Sequence, residues 1–151
     1  MTSMTKTREV RALLLGAWSL ASWEASGTDT TVFRPLGDDG IGQLIYDGSG
    51  RMSVQLSGVG RPLFADEDWL RARPDEIVAA WPAYFAYFGT FTVDTESDPA
   101  TVTHHIASGT FPNLAGTDQV RTCRFADGDR RLTLGAESAW GSVRIVWERV
   151  R

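Results

Sequence analysis

The residues best suited to proton chemistry in this chain of 151 residues are its two histidines, adjacent at His104-His105. Imidazole changes charge near neutral pH, so it can give or take a proton or ligate a metal. The surrounding run Thr101-Val102-Thr103-His104-His105-Ile106-Ala107 reads as a strand. Successive strand side chains point to opposite faces, so the pair cannot act as one unit. Alternation gives one face to Val102, His104 and Ile106, the more apolar set, and the other to Thr103, His105 and Ala107. His104 is therefore the favoured inward residue.

A second strand over 118–125 turns Gln119, Arg121, Cys123 and Phe125 to one face, and the last two favour burial. Met52, Val54 and Leu56 form an apolar face whose neighbours across the preceding turn are Leu44 and Tyr46. If these faces converge, His104 moves a proton while Arg121, Gln119 or Tyr46 stabilises an enolate or a polarised carbonyl. Met52, Val54 and Phe91 then line the site, with Tyr84 and Tyr87 at its mouth. An inward Arg121 needs a carboxylate such as Glu24 or Glu148, a ligand anion, or water, because an unpaired buried charge is costly. A plain alternative stands beside each role. His104 can simply bond a tyrosine or a carbonyl in the core, and the aromatic residues can simply pack.

Other chemistry has little support. No His-x-His, cysteine cluster or Glu-rich set accompanies the histidines, which leaves axial haem ligation by His104 alone as the one metal-centre option; no cofactor is expected. Ser53 and Ser108 have no triad, Cys123 has no base beside it in sequence, and Gly58-Val59-Gly60 lacks the strand-glycine-helix setting of a phosphate loop. Asp38-Asp39 and Asp66-Glu67-Asp68 read as solvated loop or cap charges. A formal charge of -4 without a Lys/Arg run offers no footprint for nucleic acid or an anionic membrane. One cysteine permits no intrachain disulfide and suits a reducing cytoplasm. The short apolar run 12–21 after Lys6, Arg8 and Arg11 resembles a signal peptide, but it leads straight into strand-like sequence and falls short of a membrane span.

Length fits one domain, 1–151, with 1–7 as a flexible leader. A short helix is expected over 8–14, then strands near 16–24, 30–35, 41–47 and 51–57, with Asp47-Gly48-Ser49-Gly50 as a hairpin turn. A helical insertion near 64–88 breaks the pattern. Its main helix, 74–87, opens on Pro74, Asp75 and Glu76 and repeats apolar residues from Ile77 to Phe88 at helical spacing, although Pro82 can kink or split it. Strands resume near 89–94, 100–109, 118–126, 130–135 and 141–150. Eight or nine meandering antiparallel strands in an all-β domain are best satisfied by closing an up-and-down barrel, which removes exposed edges. A β-sandwich is the competing architecture.

Several segments in order carry a resemblance: Leu15-Gly16-Ala17-Trp18-Ser19-Leu20, Gly42-Gln43-Leu44-Ile45-Tyr46 leading to Gly50-Arg51-Met52-Ser53-Val54, Thr103-His104-His105, Pro112-Asn113 with Gly116-Thr117-Asp118-Gln119-Val120-Arg121, and Val146-Trp147-Glu148-Arg149. From about residue 12 to 150 the sequence resembles the bacterial lipocalin-like domain family, within the calycin group of ligand-binding barrels. The resemblance implies a lipocalin-like barrel in which Trp18 packs across the closed end under a basic residue of the last strand, Arg144 or Arg149. Such a floor is cation-aromatic packing and carries no chemistry.

A barrel scaffold hosts transport, sensing and catalysis alike. Two functions follow: a cofactor-independent cyclase or isomerase of specialised metabolism that preorganises a small hydrophobic substrate, as in some lipocalin-like proteins, or a binder that carries such a molecule unchanged. A filled barrel serving as an interaction protein is a third option. The expected partner is a hydrophobic small molecule, with room for a homodimer.

Overall fold

Alternating apolar and polar residues build nine strands in the computed structural model, which describes residues 2–29, 31–138 and 141–151. The strands are β1 (Gly16–Ser26), β2 (Val32–Phe33), β3 (Ile41–Tyr46), β4 (Arg51–Ser57), β5 (Tyr84–Asp94), β6 (Thr101–Gly109), β7 (Asp118–Ala126), β8 (Arg131–Ser138) and β9 (Gly141–Arg149). All pair antiparallel in the order β2-β1-β3-β4-β5-β6-β7-β8-β9, and β1 also pairs β9. Eight strands thus close an up-and-down barrel, with β2 as a two-residue addition to the far end of β1. The strand expected over 30–35 shrinks to this piece, and its first residue, Thr30, lies outside the described residues.

The helix α1 (Ser3–Leu14) crosses one end of the barrel. It begins before the expected residue 8 because Thr2 caps it, accepting from the Thr5 amide at 3.3 Å. Residues 3–7, expected in the leader, are therefore helical; Met1 lies outside the described residues. Ser3 bonds Glu96 at 2.6 Å and Thr7 bonds Thr95 at 2.8 Å, tying the helix to the end of β5. At this closed end the inward residues Trp18, Tyr46, Met52, Val102, Leu132 and Trp147 are buried.

The insertion departs most from expectation. The helix α2 (Pro74–Ala80) ends well before residue 87, a 3-10 turn covers Trp81–Ala83, and β5 starts at Tyr84. Pro82 explains the break, since it has no amide proton to continue the helix. The aromatic residues from Tyr84 to Phe88 therefore lie on a strand and alternate in direction. Phe85 and Tyr87 face inward beside Leu56 and Val54, while Phe88 faces out and is exposed. The strand then bulges at Phe88/Gly89. A Cβ on Gly89 would lie 1.9 Å from the His105 carbonyl oxygen, so only glycine allows the bulge to pack this closely.

Loops 27–40, 58–83 and 110–117 gather at the other end of the barrel. There the inward positions Ala25, Phe85, Gln119, Arg121, Ala136 and Val143 keep partial exposure, so the barrel opens away from α1. The 58–83 segment at this mouth exposes Leu63, Trp69, Leu70 and Val78, and a groove of about 330 Å³ runs between residues 59–64 and α2, outside the barrel wall.

Candidate functional site

His104 lies halfway down the barrel, paired with Phe91 on β5 and Gln119 on β7, and is 1% exposed. Tyr46 Oη is 2.6 Å from Nε2 and Tyr87 Oη is 2.7 Å from Nδ1, so both ring nitrogens are engaged. Burial first, then the Arg121 guanidinium and His105, lowers the His104 pKa to about 3. The ring is neutral at pH 7. Burial also raises the pKa of both tyrosines, so both keep their protons.

A neutral imidazole has one N–H and one acceptor, so the two tyrosines play opposite roles. Tyr46 is fully buried on the closed side, and its hydroxyl has no bonding partner but His104 among the described residues. Donating to Nε2 is the arrangement that satisfies its proton. Nδ1–H then donates to Tyr87 Oη, and the Tyr87 hydroxyl proton remains available towards the open half. Tyr46→Phe should accordingly cost about 1–3 kcal/mol in chemical denaturation, because it strands Nε2 in a dry core. Tyr87→Phe should cost less, since its side of the ring is nearer solvent. The reverse order would put the ring proton on Nε2.

Gln119 and Arg121 share the inward parity of the buried Cys123. Gln119 donates to Thr117 Oγ1 at 3.1 Å, and Arg121 Nη1 donates to the Val120 carbonyl at 3.1 Å. Neither expected carboxylate meets Arg121: Glu24 pairs with Arg34 at 3.2 Å and Glu148 with Arg131 at 3.2 Å. Phe91 packs edge-on against Tyr46 at 4.8 Å between centroids, and Met52 and Val54 are core residues on the same inner surface. Tyr84 does not join them. It pairs with outward Ser57 and lies beneath Arg61, 5.3 Å from guanidinium to ring centre. Trp18 lies under Arg149 at 4.2 Å, whereas Arg144 faces solvent.

His105 occupies the outer face in an arrangement that sequence reasoning missed. Its Nε2 is 2.8 Å from Thr92 Oγ1 and its Nδ1 is 2.7 Å from Asp118 Oδ1. Hydroxyl, imidazole and carboxylate follow the order of a nucleophilic triad. The His105 and Asp118 side chains are 36% and 64% exposed, however, so the row is open to solvent. Strand pairing alone could have suggested it, because Asp118 lies directly across from His105. Trp23 was also missed. A register shift after Leu20 turns it inward against Ile145, 6.3 Å from Phe85 between ring centres.

Burial pushes the Cys123 thiol up to about 12, which leaves it an inert core group. Among the described residues no cluster of three or more His, Cys, Asp or Glu could hold a metal, and no helix is long and apolar enough to cross a membrane.

A closed antiparallel barrel, helix-capped at one end and open at the other, with a hydrogen-bonded polar row in an aromatic interior, defines a lipocalin-like β-barrel. The chain belongs to the lipocalin-like domain family, whose model matches residues 15–150. It is 34% identical over 74 residues to the 4'-hydroxy-3'-methoxypropiophenone carrier protein of Aspergillus oryzae, a match covering 46% of this chain and 67% of that protein. A designed fluorescence-activating β-barrel is 8% identical, with a TM-score of 0.41 over 99% of this chain and 100% of that one.

Proposed function

We propose that this protein is a small-molecule carrier that holds one aromatic ligand with an oxygen acceptor in the open half of its barrel and releases it unchanged. The observation that carries this reading is the state of His104. With both nitrogens bonded to tyrosines and a pKa of about 3, it is mismatched to proton transfer at neutral pH. What remains is recognition: aromatic walls from Trp23 and Phe85, and a hydroxyl donor on Tyr87 fixed in direction by His104. The fungal relative is named as the carrier of an aryl ketone, and a planar ring with a carbonyl acceptor suits these groups. The free thiol of Cys123 accords with a cytoplasmic setting.

Calorimetry with 4'-hydroxy-3'-methoxypropiophenone should give saturable binding at one ligand per chain, and mass spectrometry should recover the ligand unaltered. Tyr87→Phe should weaken binding about five- to ten-fold through loss of one hydrogen bond to the carbonyl. Absence of binding, or protein-dependent conversion of the ligand, would count against a carrier.

A cofactor-independent cyclase or isomerase is the second reading, favoured by the same Tyr87 hydroxyl, which can polarise a carbonyl while the barrel folds the substrate. There Tyr87→Phe lowers turnover of a bound substrate rather than its affinity.

A further inference from the structure

The inner surface of this barrel is rich in unmatched donors and poor in acceptors. By strand alternation, every acidic residue of the barrel strands (Glu24, Asp94, Asp118, Glu137 and Glu148) points outward. Arg121 points inward, and its guanidinium has no ion pair among the described residues, only the bond to the neighbouring Val120 carbonyl. On β7 it shares the inward face with Gln119, which pairs directly with His104, while Arg121 pairs with inward Val102, two residues from His104 on the same strand. The Tyr87 hydroxyl has a proton to give, and the buried indole N–H of Trp23, beside Phe85, has no acceptor among the described residues. Together these give the open end of the barrel an aromatic lining with an inward positive charge and, among the barrel strands, no inward carboxylate. A half-exposed guanidinium and unpaired donors of that kind gain charge-assisted hydrogen bonds when a ligand brings oxygen acceptors to them.

We infer that the ligands of this barrel are aromatic molecules bearing an anionic oxygen group, a carboxylate or a phenolate, seated against Arg121 with Tyr87 donating to the same group. This rests on the reading that the barrel binds a small molecule, and it adds the charge of that molecule. Arginine presents several N–H donors in one plane, so a carboxylate can take two of them, whereas a neutral amide of the same shape can take one through its carbonyl.

A matched pair of probes separates charge from shape: 2-naphthoate and 2-naphthamide share a ring and differ in one charge. In titration calorimetry at pH 7 the wild-type protein should bind the carboxylate about ten-fold or more tightly than the amide. Arg121→Gln should remove this preference and leave the amide affinity within about two-fold. Arg121→Lys should keep most of the preference, which distinguishes lost charge from a misfolded barrel. Equal affinities in the wild type, or a preference that survives Arg121→Gln, would overturn the inference while the binding function stands. If neither probe binds, the inference fails, and the carrier reading is decided separately by the titration with 4'-hydroxy-3'-methoxypropiophenone.

Discussion

Acidification from pH 7 to pH 4 is expected to destabilise the wild-type barrel by about 3 kcal/mol through one residue, His104, and His104→Gln should flatten that part of the curve. The sign follows from where the proton sits. His104 has a pKa of about 3 when folded, against 6.5 for an unperturbed imidazole. Between these values the unfolded chain holds a proton that the folded chain must release. The contribution to stability is therefore full above pH 6.5 and falls by about 1.4 kcal/mol for each pH unit below it. Burial is the main cause of the depressed value, with Arg121 and then His105 adding repulsion.

Glutamine at position 104 retains one donor and one acceptor for the tyrosines but does not titrate. Its stability at pH 7 should drop by about 1–2 kcal/mol, because it cannot reach both hydroxyls as the ring does. Denaturant titrations at pH 7, 6, 5 and 4 on both proteins isolate the histidine, since the surface carboxylates are common to the two. Parallel curves would mean that the imidazole is protonated inside the folded barrel. The same logic ties stability to function. A ring that is charged at neutral pH would donate from both nitrogens, leaving the Tyr46 hydroxyl proton without an acceptor and removing the argument for a directed Tyr87 donor.

Strand alternation made the inner wall legible from sequence. His104 inward, Met52, Val54 and Leu56 beside Leu44 and Tyr46, and Cys123 in the core all follow from a period of two once the strand limits are right. Alternation fails where the backbone changes register. At β5 a helical spacing of aromatic residues masked a strand, and Tyr84 and Tyr87, assigned one role at the mouth, point to opposite sides of the wall. Pro82 marked the place of the break but not what followed it. At Trp23 the register shift in β1 reverses parity, a local event that residue types do not announce. The partners of Arg121 were beyond reach for another reason. Whether Glu24 meets Arg121 or Arg34 depends on which face each strand presents and on where the 27–40 loop returns, neither of which is a local property of the sequence.

Arg149→Met is expected to cost about 3 kcal/mol, the largest loss from any single surface-accessible charge in this protein, because one guanidinium closes the helix-capped end. The carbonyls at the end of α1 have no further helical turn to satisfy them. Leu14 O accepts from Trp18 Nε1 at 2.9 Å, Arg149 Nη1 donates to Leu15 O at 2.8 Å, and Nη2 donates to Leu13 O. Nε donates to the Asp129 carbonyl at 3.0 Å, in the turn before β8, while the plane of the group covers the Trp18 ring. A positive charge at a helix C-terminus adds a favourable dipole interaction. Methionine keeps the stem of the side chain but strands these carbonyls and removes the cation from the indole. Arg144→Met provides the control, since Arg144 is exposed on the same strand and should change stability by less than about 0.5 kcal/mol. Arg149→Lys should recover less than half of the loss. A single ammonium can neutralise the helix end or approach one carbonyl, but it cannot hold three carbonyls in one plane while lying flat on the tryptophan. Full recovery by lysine would reduce the role of Arg149 to its charge, and the close fit of Gly16, whose added Cβ would come within 3.3 Å of Nη1, would then have no bearing on how the barrel closes.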